Sequence, residues 1–172
     1  MVYIILIILL AAGDLGLKWM IDRQEPEHFP RPLKHSGGRI LLYRHHNAGF
    51  PFGFLQQYGA VVRTVPLVMI SGLAGVLCYL IPKNGRRLEK LSLAIVIGGA
   101  LSNLYDRLVK RYVVDYFSFQ FGYLKKVIFN LGDLFVFLGS GILLVLNLIG
   151  EFQGKRSVQS VHQSLLEETV QK

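Results

Sequence analysis

"VIFNLGDLFVFLGSGILLVLNLI", residues 127–149, carries a single charged side chain, Asp133, close to its head. As a helix rising 1.5 Å per residue it can cross roughly 30 Å of hydrocarbon. Lipid offers no water to satisfy backbone N–H and C=O groups, so a helix is the default conformation. A carboxylate at the edge of such a segment is costly, and an ionisable residue there marks a functional position by default.

Working outward, three more apolar blocks have spanning length: residues 1–21, 58–81 and 88–108, the second interrupted by Arg63 and Pro66. The chain has 172 residues, is 52% hydrophobic and has a mean hydropathy of +0.41, too apolar for an ordinary soluble domain. The expected fold is an all-α multi-pass membrane protein with four transmembrane helices. Residues 1–150 form one domain, and residues 151–172 form a polar cytoplasmic tail, either helical or disordered. A cleavable signal peptide is the alternative for residues 1–21. No Lys or Arg precedes that apolar core, and apolar residues resume after Lys18, so a span is expected. The net charge of +8 points to anionic lipid head groups rather than nucleic acid, because no compact basic domain stands apart from the apolar blocks. Cys78, the single cysteine, cannot form an intramolecular disulfide.

The connection at 22–57 begins Pro-rich and then reads "GGRILLYRHHNAGFPFGFLQQ". "RILLYRHH" predicts a strand, and residues 36–57 a small surface sheet. The short loop "PKNGRRLEK" packs Lys83, Arg86, Arg87 and Lys90 together. The positive-inside rule makes that loop cytoplasmic, and with it both termini. Asp14, Asn103, Asp106 and Asp133 then fall toward the outer leaflet.

Spacing groups these residues further. Asp14 and Lys18 lie four apart on one helix face and predict an ion pair. Asn103, Asp106 and Arg107 share another face, and Asn130 and Asp133 lie three apart. Polar groups from three helices thus converge at one depth. A zinc peptidase needs ligands such as His-Glu-x-x-His on a helix, but His28, His35, His45, His46 and His162 all lie outside the spans. His45 and His46 are adjacent and point to opposite faces of a strand. No apolar block holds a histidine to partner Ser140, and no serine is evidently tied to Lys18. Paired aspartates remain. Two carboxylates sharing one proton can act as base and acid in turn. Asp133 can pair with Asp106 or with Asp115.

The sequence resembles the lipoprotein signal peptidases (signal peptidase II) of bacteria from Asp14 to about Gly139. "DLGLK" is similar to the family's Asp-x-x-x-Lys, and "NAGFPF" (47–52) to Asn-x-Gly-Ala-Ala-Phe. "GGALSNLYDR" (98–107) is similar to Gly-Gly-Ala-x-Gly-Asn-x-x-Asp-Arg, "VVDYF" to Val-x-Asp-Phe, and "FNLGD" to Phe-Asn-x-Ala-Asp. The resemblance implies Asp115 and Asp133 as a catalytic dyad, with Asn103, Arg107 and Asn130 in support. It puts Asp14, Lys18, Asn47 and Gly49 near the site, beside Asp106 of the same helix-three motif. It implies cleavage of a diacylglyceryl-modified prolipoprotein before its lipidated cysteine, without metal or cofactor, in the bacterial cytoplasmic membrane. Globomycin is the expected inhibitor. The implied architecture adds an extracytoplasmic β-cradle and a short surface helix, which "FSFQFGYLKK" could supply. Departures are Phe50 and Pro51 for two alanines, Ser102 for glycine, Gly132 for alanine and Tyr116 for phenylalanine. The alternative is a non-catalytic membrane protein, an inactive paralogue or a small carrier, using the same polar cluster.

Overall fold

The computed structural model describes residues 1–49 and 54–170, with the backbone alone beyond Glu151. Four helices dominate it: α1 (Val2–Asp22), α2 (Gly59–Leu80), α3 (Arg87–Val109) and α4 (Leu131–Val170). Three strands, β1 (Arg31–Pro32), β2 (Ile40–Asn47) and β3 (Val113–Phe119), form an antiparallel sheet in the order β1-β2-β3. Phe50 and Pro51, the bulkiest departures from the motif, lie outside the described residues.

Among the described residues, three helices are long and apolar enough to cross a membrane: Val2–Asp22, Gly59–Leu80 and the first half of α4, Leu131–Glu151. The third expected span, α3, is not among them. Charged residues at both of its ends dilute its hydropathy, and the helix is buried for another reason: it is the hub of the bundle. Twelve of its residues, from Lys90 to Asp106, are buried. Leu93, Ala94, Ile97 and Leu104 pack with Ile70, Leu77 and Leu80 of α2, and Tyr3, Leu6 and Ile7 of α1 close over them. The outer helices turn apolar faces outward instead. Ile5, Ile8 and Leu9 of α1, Val68 and Met69 of α2, and Phe137 and Leu144 of α4 are all exposed. Contiguous apolar surface of this extent fits lipid, not water.

Close helix approach rests on small residues, as in membrane bundles generally. A Cβ on Gly98 would lie 3.2 Å from the Ile7 carbonyl oxygen of α1, and one on Gly99 would strike the Gly132 carbonyl of α4. Adjacent glycines thus seat α3 against two neighbours.

The sheet caps the end of the bundle where α1 and α3 finish and α4 begins. Ile21 packs with Val114, Tyr116 and Phe117 there. The strand expected at "RILLYRHH" is β2. The segment "FSFQFGYLKK" differs from expectation: Phe117–Phe119 belong to β3, and only Gly122–Lys126 forms a short 3-10 turn. Cross-strand pairing with β2 takes the aromatic run into the sheet. Helix α4 starts at Leu131, because Phe129 bridges back to Phe117 and holds residues 127–129 outside the helix.

One irregularity sets the faces. Ile40 pairs with Phe119 and Leu42 with Phe117, but after a register shift His45 pairs with Asp115 and Asn47 with Val113. The extra residue in β2 changes parity, so odd-numbered residues of β2 join the Asp115 face.

Candidate active site

Asn130 is the residue from which the site is best built. It precedes the first residue of α4, where helical N–H groups lack internal partners. Its Oδ1 accepts from the Asp133 backbone N–H (2.9 Å), and Asp133 Oδ2 accepts in return from the Asn130 N–H (3.1 Å). This is a reciprocal capping box, an Asn-x-x-Asp form of the usual pattern. The same Asn130 donates through Nδ2 to Asp115 Oδ1 at 2.7 Å. One amide therefore ties both aspartates to the head of α4. Asp115 Oδ2 accepts from Asn47 Nδ2 at 3.1 Å, and Asn47 Oδ1 accepts from the Gly49 N–H at 3.0 Å. Asn103 donates to Asp133 Oδ1 at 2.9 Å, and Arg107 donates to the Gly49 carbonyl at 3.3 Å.

Of these groups, Asn47, Arg107, Asp115 and Asp133 open into a cavity of about 460 Å³. Asp115, Asp133, Asn47, Arg107, His45 and Lys126 form its polar lining, with an apolar wall that includes Leu124, Ile128, Phe129 and Phe137. Burial is the largest influence on Asp115, pushing its carboxyl up to about 7, and the neighbouring Asp133 charge adds to it. Hydrogen bonds from Asn47 and Asn130 and the Lys18 charge oppose that rise.

Asp14, Lys18 and Asp106 do not reach the cavity, although all three are fully buried. They form a layer beneath it. Lys18 pairs with Asp14 at 2.7 Å, as the spacing predicts, lies 3.6 Å from Asp106, and donates to Asn103 Oδ1 at 2.6 Å. Asn103 passes this fixed orientation on to Asp133. Asp106 also accepts from the Val114 N–H at 3.3 Å and pairs with Lys110 at 3.1 Å, tying the end of α3 to the start of β3.

Three of the motif departures meet at Asp14. Ser102 donates to Asp14 Oδ2 at 2.5 Å, and Tyr116 donates to Asp14 Oδ1 at 3.0 Å. Burial and the Asp14 charge raise the Tyr116 phenol above its ordinary range, so it stays a donor. A Cβ on residue 132 would lie 2.7 Å from Ser102 Oγ, 2.8 Å from the Gly99 carbonyl and 2.9 Å from Asp14 Oδ2. Glycine at 132 thus leaves the room that the serine hydroxyl fills. Gly132→Ala is expected to cost about 1–3 kcal/mol of stability by overpacking, read as a lower Tm in detergent. Adding Ser102→Gly should recover part of the loss, because the Gly99 carbonyl still crowds the new methyl.

Sequence reasoning missed β3, the contacts of Tyr116 and Ser102 with Asp14, and the cavity positions of His45 and Lys126. The alternation of β-branched and aromatic residues in "VVDYFSF" was the available signal for β3. It also missed Asp22, which pairs with Arg44 (3.4 Å), His46 (2.7 Å) and Lys110 (3.7 Å) and so pins the far face of β2 to the end of α1.

Fold and site together define a multi-pass membrane protein with a carboxylate-lined cavity at one end of its helix bundle. The fold is similar to that of a bacterial membrane enzyme solved by the in meso method at 2.3 Å resolution. The TM-score is 0.71 at 20% identity, covering 86% of this chain and 87% of that one. A second in meso structure, at 1.9 Å, matches with the same score over 92% of its chain. The signal peptidase (SPase) II family profile matches residues 5–149. The lipoprotein signal peptidase of Burkholderia mallei (strain SAVP1) is 37% identical over 117 residues, 67% of this chain and 68% of that protein. That of Pasteurella multocida (strain Pm70) is 33% identical over 101 residues, 58% and 61% of the two chains. The chain belongs to the signal peptidase II family, the lipoprotein signal peptidases.

Proposed function

We propose that this protein removes the signal peptide from diacylglyceryl-modified prolipoproteins, cutting just before the lipidated cysteine with Asp115 and Asp133 as an aspartyl dyad. The observation that carries the reading is Asn130, which donates to both carboxylates, through its side chain to Asp115 and its backbone N–H to Asp133, at the wall of one cavity. In the proposed reaction a water between the carboxylates gives up a proton to the ionised member and attacks the scissile carbonyl. The C–N bond then breaks, and the amine leaves with a proton from the dyad. Asn47, Asn103 and Asn130 hold the carboxylates so that no reorganisation is needed during the step. Asp14, Lys18 and Asp106 act from beneath, by orienting Asn103 and the head of α4.

In this reading all four helices cross the bacterial cytoplasmic membrane, with the middle of α3 packed among the other three. Residues 1–150 form the peptidase domain, and both termini and the tail after residue 150 are cytoplasmic. The cavity faces the outer leaflet, where membrane lipids hold the substrate's acyl chains. Anchoring makes the encounter effectively intramolecular, which favours positioning. Family membership gives the carrier and inactive-paralogue readings no support of their own.

The deciding experiment is cleavage of a diacylglyceryl-modified prolipoprotein by the purified protein in detergent, followed as a gel shift. Turnover blocked by globomycin is the expected result. A folded preparation that leaves the prolipoprotein intact overturns the reading.

The pH dependence follows from Asp115. A carboxyl held at about 7 keeps its proton in the fold between 3.8 and about 7, where an unfolded chain has lost it. The folded state then binds more protons, so stability falls as pH rises through that window. Turnover needs one proton on the pair, so kcat/KM is expected to decline above about pH 7, the titration belonging to the pair rather than to one residue. A pH–rate profile flat from roughly pH 6 to 9 contradicts a dyad of this kind.

A further inference from the structure

Three polar side chains of the cavity have no part in the mechanism above; one, Arg107, is held on the Gly49 carbonyl, and the other two are His45 and Lys126. His45 stands directly across the strand pair from Asp115 and shares a strand face with Asn47. Lys126 ends the short 3-10 turn and lines the same cavity. Both are exposed and line the cavity, and neither has a side-chain hydrogen bond or ion pair among the described residues. The contrast with His46 is informative: on the other strand face it is held by Asp22 at 2.7 Å and stacks on Tyr112 with ring centroids 4.0 Å apart. Of two adjacent histidines, one is fixed in structure and the other is presented to the cavity.

The charges lining the cavity suggest what these groups meet. Arg107 and Lys126 bring two positive charges and Asp115 and Asp133 two carboxylates. When the carboxylates share one proton, the lining has a surplus of one positive charge, and His45 adds a ring N–H donor. An uncharged peptide bond does not use that surplus. Its hydrolysis does: the water oxygen joins the carbonyl carbon, the C–N bond breaks, the amine leaves, and the acyl side becomes a carboxylic acid that ionises at neutral pH. A new anion is thus created beside the dyad.

We propose that His45 and Lys126 form a carboxylate-binding side of the cavity that holds the new C-terminus of the cleaved signal peptide. This rests on the peptidase reading above. The ligand class is an apolar peptide with a free C-terminal carboxylate, its side chains against Leu124, Ile128 and Phe137 and its carboxylate on the two donors. Product release then becomes a step that these residues govern.

The test uses a fluorescent peptide with the sequence of a lipoprotein signal peptide up to the cleaved bond, made as the free acid and as the carboxamide. Binding to the full-length protein in detergent is read by anisotropy at pH 7, independently of turnover. The acid is expected to bind about tenfold more tightly than the amide, the size of a charge-assisted hydrogen bond. His45→Phe with Lys126→Met should reduce the ratio to about twofold or less, and Lys126→Arg should retain it. The acid-to-amide ratio is the decisive readout, because a merely structural role would weaken both peptides alike. Equal binding of acid and amide to wild type, binding of neither, or an unchanged ratio in the double variant overturns the proposal. Wild type that cleaves prolipoprotein but shows no acid preference removes this inference alone. Acid preference without cleavage removes the peptidase reading and leaves the carboxylate site.

Discussion

Asp115→Asn and Asp133→Asn are each expected to lower prolipoprotein cleavage by about a thousandfold or more, the upper range for loss of a positioned acid or base. The substitutions are nearly isosteric, so the fold should survive. An asparagine at position 115 lacks the charge and keeps one acceptor oxygen, enough for one of the two bonds now donated by Asn47 and Asn130. Asp133 sits in the capping box, where an amide oxygen can still accept from the Asn130 N–H. Asp106→Asn is the control. Asp106 is fully buried, does not line the cavity, forms ion pairs with Lys110 and Lys18, and accepts from the Val114 N–H. Its loss should lower Tm while leaving measurable turnover. Single-turnover gel shifts beside thermal unfolding separate the two patterns. Cleavage surviving in Asp115→Asn but abolished in Asp106→Asn would reassign the dyad to Asp106 and Asp133.

Lys18→Met is expected to be among the most destabilising single changes in the molecule, at about 3–5 kcal/mol, the usual cost of stripping one partner from a buried ion pair. The ammonium is fully buried and serves Asp14 (2.7 Å), Asn103 (2.6 Å) and Asp106 (3.6 Å) together. Without it, the Asp14 carboxyl loses its ammonium partner in a site closed to water, and Asn103 loses the contact that orients it toward Asp133. Turnover should therefore fall along with stability. Asp14→Asn combined with Lys18→Met should be milder than Lys18→Met alone, because no unpaired Asp14 carboxylate is then left behind. Asp14 also accepts from the Leu131 N–H at the head of α4 (3.1 Å), so recovery should be partial. Equal Tm values for Lys18→Met and wild type would show that the pair is not energetically coupled to the bundle.

Much was legible in the chain because lipid is an exacting solvent. Helices that cross it must be long and apolar, and charges inside it must be grouped, so Asp14, Lys18, Asn103, Asp106, Arg107, Asn130 and Asp133 stood out against their surroundings. Helical spacing alone gave the Asp14–Lys18 pair, and the capping pattern of Asn130 and Asp133 is likewise local. Strand β2 was legible from its apolar and aromatic content. Helix α3 was legible as a helix, though its burial at the centre of the bundle depends on glycine contacts with α1 and α4 that join residues far apart in sequence.

What only the tertiary structure decided was which of these residues share a cavity. Asp106 and Asp115 were equal candidates by spacing, but packing buries Asp106 against Lys18 and Lys110 and opens Asp115 to the cavity. One register shift in β2 decides the other side of the site. With the pairing of Leu42 and Phe117 continued unbroken, Arg44 and His46 would stand on the Asp115 face; after the shift, His45 and Asn47 do. The side-chain period of a strand is two, so a single extra residue exchanges faces, and no local pattern in the sequence marks where that residue falls. The sequence by itself determined a membrane bundle with grouped polar residues. The pairing of two strands distant in the chain determined which of those residues meet.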